Sequence, residues 1–434
     1  VAKASCRNKA ASTQCAVEAA ARFRAAEKTK ETRMLYRTMP KTGDKLSSLG
    51  FGCMRLPMVE GKIDEARAIA QIRSAIDAGV NYMDTAWPYL GGQSEPLLGK
   101  ALRDGYREKV KVATKLPTWL VNSREDMDRY LNAQLERLGV ERIDYYLVHA
   151  LEGASWDRLE ALGVGEFLDQ AKKDGRIGNA GFSFHGLREE FKRIVDGYDW
   201  VFCQIQYNIL DQEFQAGAEG LKYAASKNLG VVVMEPLRGG NLGLATPPPA
   251  VAAIWDEAQV KRAPVAWALR WLWNQPEVTV ILSGMNEEAH IAQNLAIADE
   301  ARPNSLTAAE EELVDRVAAK YKELMQVGCT GCAYCMPCPM GVQIPKCFDF
   351  FNKMHMFGNA DEAKMMYIAF GAGLAGSNEP GFASQCVACG ECLEKCPQHI
   401  AIPEALERVA AAMEGPDFPE RLAAIRAHFG TGLD

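Results

Sequence analysis

Between residues 49 and 284, short apolar runs and amphipathic helical stretches alternate eight times, and this alternation constrains the fold more than any other feature of the chain. Strands are predicted over 49–54, 81–85, 110–115, 144–149, 179–184, 201–207, 230–235 and 278–283. The intervening segments 66–78, 124–138 and 217–227 carry apolar residues at i, i+3, i+4 spacing; Ile69, Ile72 and Ile76 mark the first, and Met127, Leu131, Leu135 and Leu138 the second. Eight parallel strands, each followed by a helix, close into an α/β (β/α)8 TIM barrel of about 250 residues, and the span here is of that size. The proline-rich stretch 246–249 predicts a long surface loop after the seventh strand. A helix is expected over 305–325, ended by Gly328.

Beyond Gly328 the composition shifts to Cys, Met, Gly and Phe, which divides the chain into a barrel with its last helix over 34–327 and a mainly helical second unit over 328–434. Helical pattern is expected there over 348–366, 403–413 and 419–428. Residues 1–33 are alanine-rich, carry eight Lys+Arg against three Asp+Glu, and lack the periodicity of a packed element. They are read as an N-terminal extension, disordered or added upstream of the folded unit, with a helical or targeting segment as the alternative. The formal net charge of -7 offers no basic field for a phosphate backbone or an anionic membrane, so nucleic acid and lipid are poor partners. No apolar run reaches the roughly 18 residues that span a bilayer, and no secretory leader opens the chain. The expected location is cytoplasmic.

In such a barrel the chemistry sits at the C-terminal strand ends and the loops that follow. Polar residues interrupt the apolar runs there: Asp84 after the second strand, Tyr89 five residues on, Lys115 ending the third and His149 ending the fourth. This set suits protonation of a carbonyl oxygen during hydride addition. A tyrosine with an ordinary pKa near 10 needs a cation beside it to act near neutrality. Lys115 would be that cation, Asp84 would hold it, and His149 would donate to the substrate oxygen. The stretch Asp84-Thr85-Ala86-Trp87-Pro88-Tyr89, followed by Ser94-Glu95, by Val-Ala-Thr-Lys115 and by Asp-Tyr-Tyr-Leu-Val-His149, resembles the aldo-keto reductases from Tyr36 to about Asn294. The resemblance implies an acid-base tetrad of Asp84, Tyr89, Lys115 and His149.

It also implies an NAD(P)H cofactor, whose carboxamide such enzymes hold with a Ser-Asn pair after strand five and a Gln on strand six. Ser183 and Gln204 match, while Phe184 stands at the Asn position. Met234 stands where an aromatic ring ordinarily stacks on the nicotinamide; a thioether can also pack against a ring face. Gly284 and His290 stand where NADPH-specific members carry basic residues, and Asn294 fits the adenine-contacting position. Arg238, in the Leu-Arg-Gly-Gly turn, would reach the pyrophosphate or the substrate; Leu237 and Ser283 complete the expected cofactor contacts. NAD and NADP both stay open.

Nine of the 13 cysteines lie between Cys329 and Cys396. Cys386, Cys389, Cys392 and Cys396, followed by Pro397, reproduce the bacterial ferredoxin run of a [4Fe-4S] ligand set. Cys329, Cys332, Cys335 and Cys338, followed by Pro339, are one residue short in the final gap. Their separation resembles helical two-cluster ferredoxin modules. With the crossed ligation of such modules, cluster one would take Cys329, Cys332, Cys335 and Cys396, and cluster two Cys386, Cys389, Cys392 and Cys338. Tetrahedral zinc is the alternative for a run of four cysteines at this spacing. Cys347 fits neither run and is read as packed or free; Cys6, Cys15, Cys53 and Cys203 are isolated.

The whole resembles the 4Fe-4S-binding aldo-keto reductases over about 400 residues. The expected activity is NAD(P)H-linked reduction of a small carbonyl compound, or oxidation of the alcohol, with a ferredoxin-like tail served by a ferredoxin or another redox partner. Hydride moves two electrons and a cluster one, so direct exchange needs something that splits the pair; no flavin motif is visible, and a flavin stays open. The alternatives are a cluster-fed one-electron reductase or electron-carrier subunit, whose barrel binds something other than a nicotinamide or serves as a scaffold, and a sensor of nicotinamide occupancy. Docking of the tail near the catalytic face is expected.

Overall fold

The computed structural model describes residues 34–59, 62–329, 331, 334–374, 380–396 and 398–429. The segment 1–33, Cys332 and Pro397 lie outside them. Eight parallel strands close a barrel in sequence order: β1 (Leu49–Gly52), β2 (Tyr82–Asp84), β3 (Lys111–Leu116), β4 (Ile143–Leu151), β5 (Ile177–Phe184), β6 (Phe202–Gln206), β7 (Gly230–Met234) and β8 (Val278–Ser283). Closure runs through β8 and β1, with Leu282 opposite Gly50 and Ser283 opposite Phe51. Side chains alternate across each strand. Tyr82, Ala113, Tyr145, Leu147, Phe202, Val232 and Val280 fill the interior, whereas Cys203, Ile205, Val231 and Val233 meet the surrounding helices. An antiparallel hairpin, Tyr36–Thr38 with Lys45–Ser47, precedes the barrel. Its Met39 and Leu46 are fully buried in the interior cluster and plug the N-terminal end.

The helices α1 (Glu65–Asp77), α2 (Ser94–Ala101), α3 (Arg124–Leu138), α4 (Gly153–Ala161), α5 (Val164–Lys173), α6 (Arg188–Asp196), α7 (Gly217–Ser226), α8 (Pro249–Trp255), α9 (Pro264–Asn274), α10 (Glu288–Ala298) and α11 (Ala308–Glu323) follow the strands. In α3 a Ser123/Asp126 capping box opens the helix and Gly139, at φ 63°, closes it; Met127, Leu131 and Leu138 turn inward. The proline-rich stretch is not only a loop: Pro249 is the first residue of α8, where a missing amide costs nothing and a fixed φ helps.

After α11 the chain enters a helical unit built on α12 (Ile344–Phe357), α13 (Ala360–Gly371), α14 (Ile402–Met413) and α15 (Phe418–Phe429). The expected helical stretch 348–366 is two helices, because Gly358 takes φ 69° and ends the first. Val342, Ile344, Phe348, Phe351, Tyr367, Ile368, Leu406 and Val409 form its core. Met356 and Phe357 of α12 belong instead to the barrel's core, where Phe357 packs 5.4 Å from Tyr321 of α11. Further contacts fall on the loops and the helix start that follow barrel strands. Tyr334 reaches Glu189 at 3.4 Å, Asp349 lies 3.8 Å from Arg238, and a Cβ on Gly331 would sit 3.1 Å from the Phe214 ring.

Candidate active site and cysteine clusters

The inward-facing strand ends converge at the C-terminal mouth of the barrel. Lys115 is 1 % exposed; its Nζ donates to Asp84 Oδ1 at 2.7 Å, to the Thr85 carbonyl at 2.7 Å and to the Tyr89 hydroxyl at 3.2 Å. Burial opposes the ammonium, but Asp84 and Tyr89 outweigh it and hold Lys115 above the ordinary lysine value. Burial pushes the Asp84 carboxyl up against the pull of Lys115. Burial also raises the Tyr89 phenol, which Lys115 counteracts and Asp84 and Glu235 reinforce. The phenol is therefore protonated at neutral pH.

His149 sits in an irregularity of β4. The register slips between Val148 and Leu151, and Ala150 takes φ 52°, a strained value for a residue with a Cβ. Thr118 donates to the His149 carbonyl at 2.9 Å, and the Ala150 amide donates to Ser183 Oγ at 2.7 Å. Burial, then Lys115 and His185, hold the imidazole well below its usual pKa, so it is neutral. The Tyr89 and Trp119 rings face it at 6.3 and 5.2 Å.

Behind Lys115, Glu95 is fully buried and accepts from Thr114 and Gln134, both at 2.7 Å. Gln134 also donates to the Lys115 carbonyl at 3.0 Å. Arg137 pairs with Glu95 at 3.2 Å. This network fixes β3 where it carries the lysine.

The residues expected at a nicotinamide divide into two groups. Ser183, Gln204 and Met234 face the barrel axis at the mouth, and Gln204 Oε1 is buried with no hydrogen-bond partner among the described residues. An orphaned buried acceptor has the chemistry a carboxamide amide would satisfy. Phe184 points outward and packs on Phe191. Ser283 and Asn294 are spent on each other, Nδ2 to Oγ at 2.9 Å, and tie α10 to β8. His290 is exposed on α10. Leu237 packs its side chain at the edge of the core while its carbonyl accepts from Gly240 and Leu242, forming the turn that carries Arg238. Arg238, at φ 49°, engages Asp211 at 3.4 Å, which Gln206 and Asn208 also contact.

Three mouth residues escape the sequence reading. Arg55, after β1, covers Gly284: a Cβ there would lie 3.2 Å from its side chain. His185 follows β5, one residue beyond the Ser183-Phe184 pair, and its Nδ1 lies 3.3 Å from Gln215 Nε2. Glu235 follows Met234 at φ 54°. A polar residue breaking an apolar run, the signal that locates His149, is present at His185 as well.

Cys335, Cys338, Cys386, Cys389 and Cys392 line one partly enclosed hollow together with Ile344 and Leu406. Burial raises the Cys392 thiol, and the neighbouring Cys386, Cys389 and Cys338 add to it. Cys338 thus lies near the second run despite its shortened gap, and Cys335 lies beside it. Cys329 accepts the Gly331 amide at 3.4 Å, and Cys396 is buried against the core of the unit. Thiols gathered around a hollow fit a cluster that bonds to thiolates. Cys347 is buried, donates to the Gly381 carbonyl at 3.5 Å and is pushed up to about 12 by burial.

The aldo/keto reductase family profile matches residues 48–311, and a 4Fe-4S dicluster domain profile matches 328–401. L-Galactose dehydrogenase of Arabidopsis thaliana is 29% identical over 289 residues, covering 62% of this chain and 89% of the plant protein. The holo form of an aldo-keto reductase from Bacillus halodurans superposes with a TM-score of 0.57 at 25% identity, covering 66% of this chain and 96% of that one. An NADPH complex of an aldo-keto reductase from Klebsiella pneumoniae shares the fold at 20% identity and a TM-score of 0.53, over 66% and 95% of the two chains. No helix among the described residues is long and apolar enough to cross a membrane. With the barrel, the matched span and the relatives in agreement, this chain belongs to the aldo/keto reductase family of oxidoreductases and carries a 4Fe-4S dicluster domain behind its barrel.

Proposed function

We propose that this enzyme moves hydride between a nicotinamide and the carbon of a small carbonyl or alcohol, with Tyr89 giving or taking the proton at oxygen. The observation that carries the reading is Lys115, buried at the barrel mouth, within 2.7 Å of Asp84 and 3.2 Å of Tyr89. In reduction, Tyr89 holds its proton until an alkoxide develops beside it, and Lys115 stabilises the phenolate left behind. Neutral His149 can donate one N–H to the same oxygen and orient it. Ser183 and Gln204 would hold the carboxamide, with Met234 against the ring; Arg238, Leu237, Ser283, Gly284, His290 and Asn294 are the remaining contacts, among which the mutually bonded Ser283–Asn294 pair favours positioning over direct contact. The nicotinamide, when bound, supplies or accepts the hydride. The NADPH complex of a relative supports this assignment without choosing between NAD and NADP.

Two [4Fe-4S] clusters would be held by the cysteines, one on Cys329, Cys332, Cys335 and Cys396 and one on Cys338, Cys386, Cys389 and Cys392; bound clusters would supply one-electron transfer to a redox partner. Tyr89→Phe tests the hydride reading: kcat for carbonyl reduction should fall on the order of 10²-fold or more while NADPH affinity and iron content stay put. Near-normal kcat would remove Tyr89 from the chemistry. A second reading, one-electron reduction fed by the clusters, draws support from the contacts of Asp349 and Gly331 with loops that follow β7 and β6, and of Tyr334 with the start of α6. NAD(P)H-dependent turnover that survives removal of iron would count against it.

A further inference from the structure

Each cysteine run begins just after a stretch of backbone that buried side chains hold. Asn352 is buried in the middle of α12, where a carboxamide is a poor helix former and costly unless its polar atoms are used. They are used on the chain that leaves α11. Asn352 Oδ1 accepts the Gln326 amide at 2.9 Å and the Val327 amide at 3.0 Å, and Nδ2 donates to the Val327 carbonyl at 2.8 Å. That carbonyl also accepts the Cys329 amide at 2.8 Å, so the turn that presents the first cysteine of the first run is tied to this side chain. Cys329 Sγ in turn accepts the Gly331 amide at 3.4 Å.

The second run is prepared in the same way by a different pair. Tyr367 of α13 is buried; its hydroxyl accepts the Ala383 amide at 2.9 Å and donates to Glu414 Oε1. The same Oε1 accepts the Ser384 amide at 3.1 Å. Ala383–Gln385 form a single tight helical turn, and the Ala383 carbonyl accepts the Cys386 amide at 3.1 Å. Here too the first cysteine is bonded to backbone that side chains of the core have fixed. Glu414 itself closes α14, and the Tyr367 ring packs 5.8 Å from Phe382. The two devices share no residue: Asn352 holds the chain leaving the barrel, and Tyr367 with Glu414 holds the chain entering the second run.

We propose that Asn352, and Tyr367 with Glu414, are positioning residues of the two cluster sites, each device pre-forming the turn from which one run starts. This rests on the two-cluster reading above and adds a division of labour. Asn352 secures the cluster that takes Cys329, and Tyr367 with Glu414 the cluster that takes Cys386. Ordering backbone costs conformational entropy, and a turn already held by side chains needs no further ordering when thiolates close on iron. Iron leaves such a site when a ligand loop opens locally, so the hold of each device shows in the rate at which its own cluster is lost. None of the three side chains belongs to the ligand set, and replacing one leaves every thiolate in place.

The test uses the full-length protein, reconstituted anaerobically with iron and sulfide, and follows release of iron to bathophenanthroline disulfonate. Asn352→Leu should make about half of the iron labile, released about tenfold faster than from the wild type or never taken up, as the loss of several buried hydrogen bonds implies. Tyr367→Phe, which deletes one oxygen and keeps the ring, should make the other half labile, and the double variant all of it. Glu414→Gln keeps an acceptor oxygen and should release iron as the wild type does; release as fast as from Tyr367→Phe would strike Glu414 from the assignment. If Asn352→Leu fails to fold, Asn352→Asp takes its place, since it keeps the acceptor for both amides and should affect the same half. Release unmoved by the single variants overturns the inference. So does equal acceleration of all the iron by one of them, the mark of a domain merely loosened, and so does a double variant no more labile than a single one. A wild-type protein that takes up iron for one cluster or for none overturns the two-cluster reading, and this inference with it.

Discussion

Replacing Asp84 by Asn should destabilise the barrel far more than replacing Asp84 and Lys115 together. The two side chains are 3% and 1% exposed and meet at 2.7 Å. At that distance, with an effective dielectric of about 20, their gross attraction is about 6 kcal/mol, roughly matched by the several kcal/mol each ion loses on leaving water. The intact pair is thus near neutral for stability, whereas an orphaned partner costs about 3–5 kcal/mol. Asp84→Asn leaves the Lys115 ammonium with neutral acceptors alone, the new amide oxygen, the Thr85 carbonyl and the Tyr89 hydroxyl. At about 2–4 °C per kcal/mol for a barrel-sized unit, the melting temperature should fall by about 10 °C at pH 7. The Asp84→Asn, Lys115→Met double variant should recover most of that loss.

The pH dependence gives an independent check. In wild type the folded lysine titrates above its unfolded value, so its stabilisation is complete below the unfolded pKa and is lost as pH rises through the folded one. In the single variant, burial without Asp84 depresses the folded lysine below the unfolded value of about 10.4. Unfolding then binds a proton, and the variant gains stability as pH rises toward 10. Melting followed by far-ultraviolet circular dichroism at pH 7 and 9.5 should show the gap to wild type narrowing. Equal losses in single and double variants, or a gap that widens with pH, would refute the argument.

Cys338→Ser should roughly halve the iron bound after anaerobic reconstitution, because Cys338 shares a hollow with Cys386, Cys389 and Cys392; unchanged iron would remove it from the ligand set. Leu46→Ala, at a fully buried position in the plug of the barrel floor, should cost about 2–5 kcal/mol in denaturant titration without altering KM for the carbonyl. The kcat for reduction should be flat between pH 5.5 and 8.5, since His149 is held well below 6.5 and Tyr89 is raised above 10; the fall should come only as the phenol loses its proton in strong alkali. An inflexion near 6.5 would show that His149 titrates during turnover.

The barrel is legible because each strand is an apolar run broken by one polar residue at its functional end, as at Asp84, Lys115 and His149. That signal depends only on which side chains water must not reach, and the eight observed strands fall within a few residues of the expected ones. The plug hairpin is less visible: Met39 and Leu46 are buried by the barrel they close, not by a periodic neighbour. His185 is hidden by its position one residue past the Ser183-Phe184 pair, where a histidine reads equally well as the start of a surface loop. Arg55 and Lys346 cannot be found by pattern, since exposed basic residues are common. Only the fold places Arg55 over Gly284 and turns Lys346 toward the Phe370 ring. The Asn294 side chain illustrates the opposite case, in which a residue matching a family position turns out to be occupied by Ser283.

Helix α12 belongs to two bodies at once: its first turns pack among the cysteine loops, and its last, through Met356 and Phe357, lie in the same core as Tyr321. A rod anchored at both ends transmits a change of order from either. If metal assembly orders that helix and a ligand in the barrel engages the Arg238 loop that it touches, the two affinities are coupled, and the reciprocal effect must be of equal size. Small molecules that settle in the barrel would then slow the escape of iron from a domain they never touch, so resistance to chelation becomes a measure of occupancy.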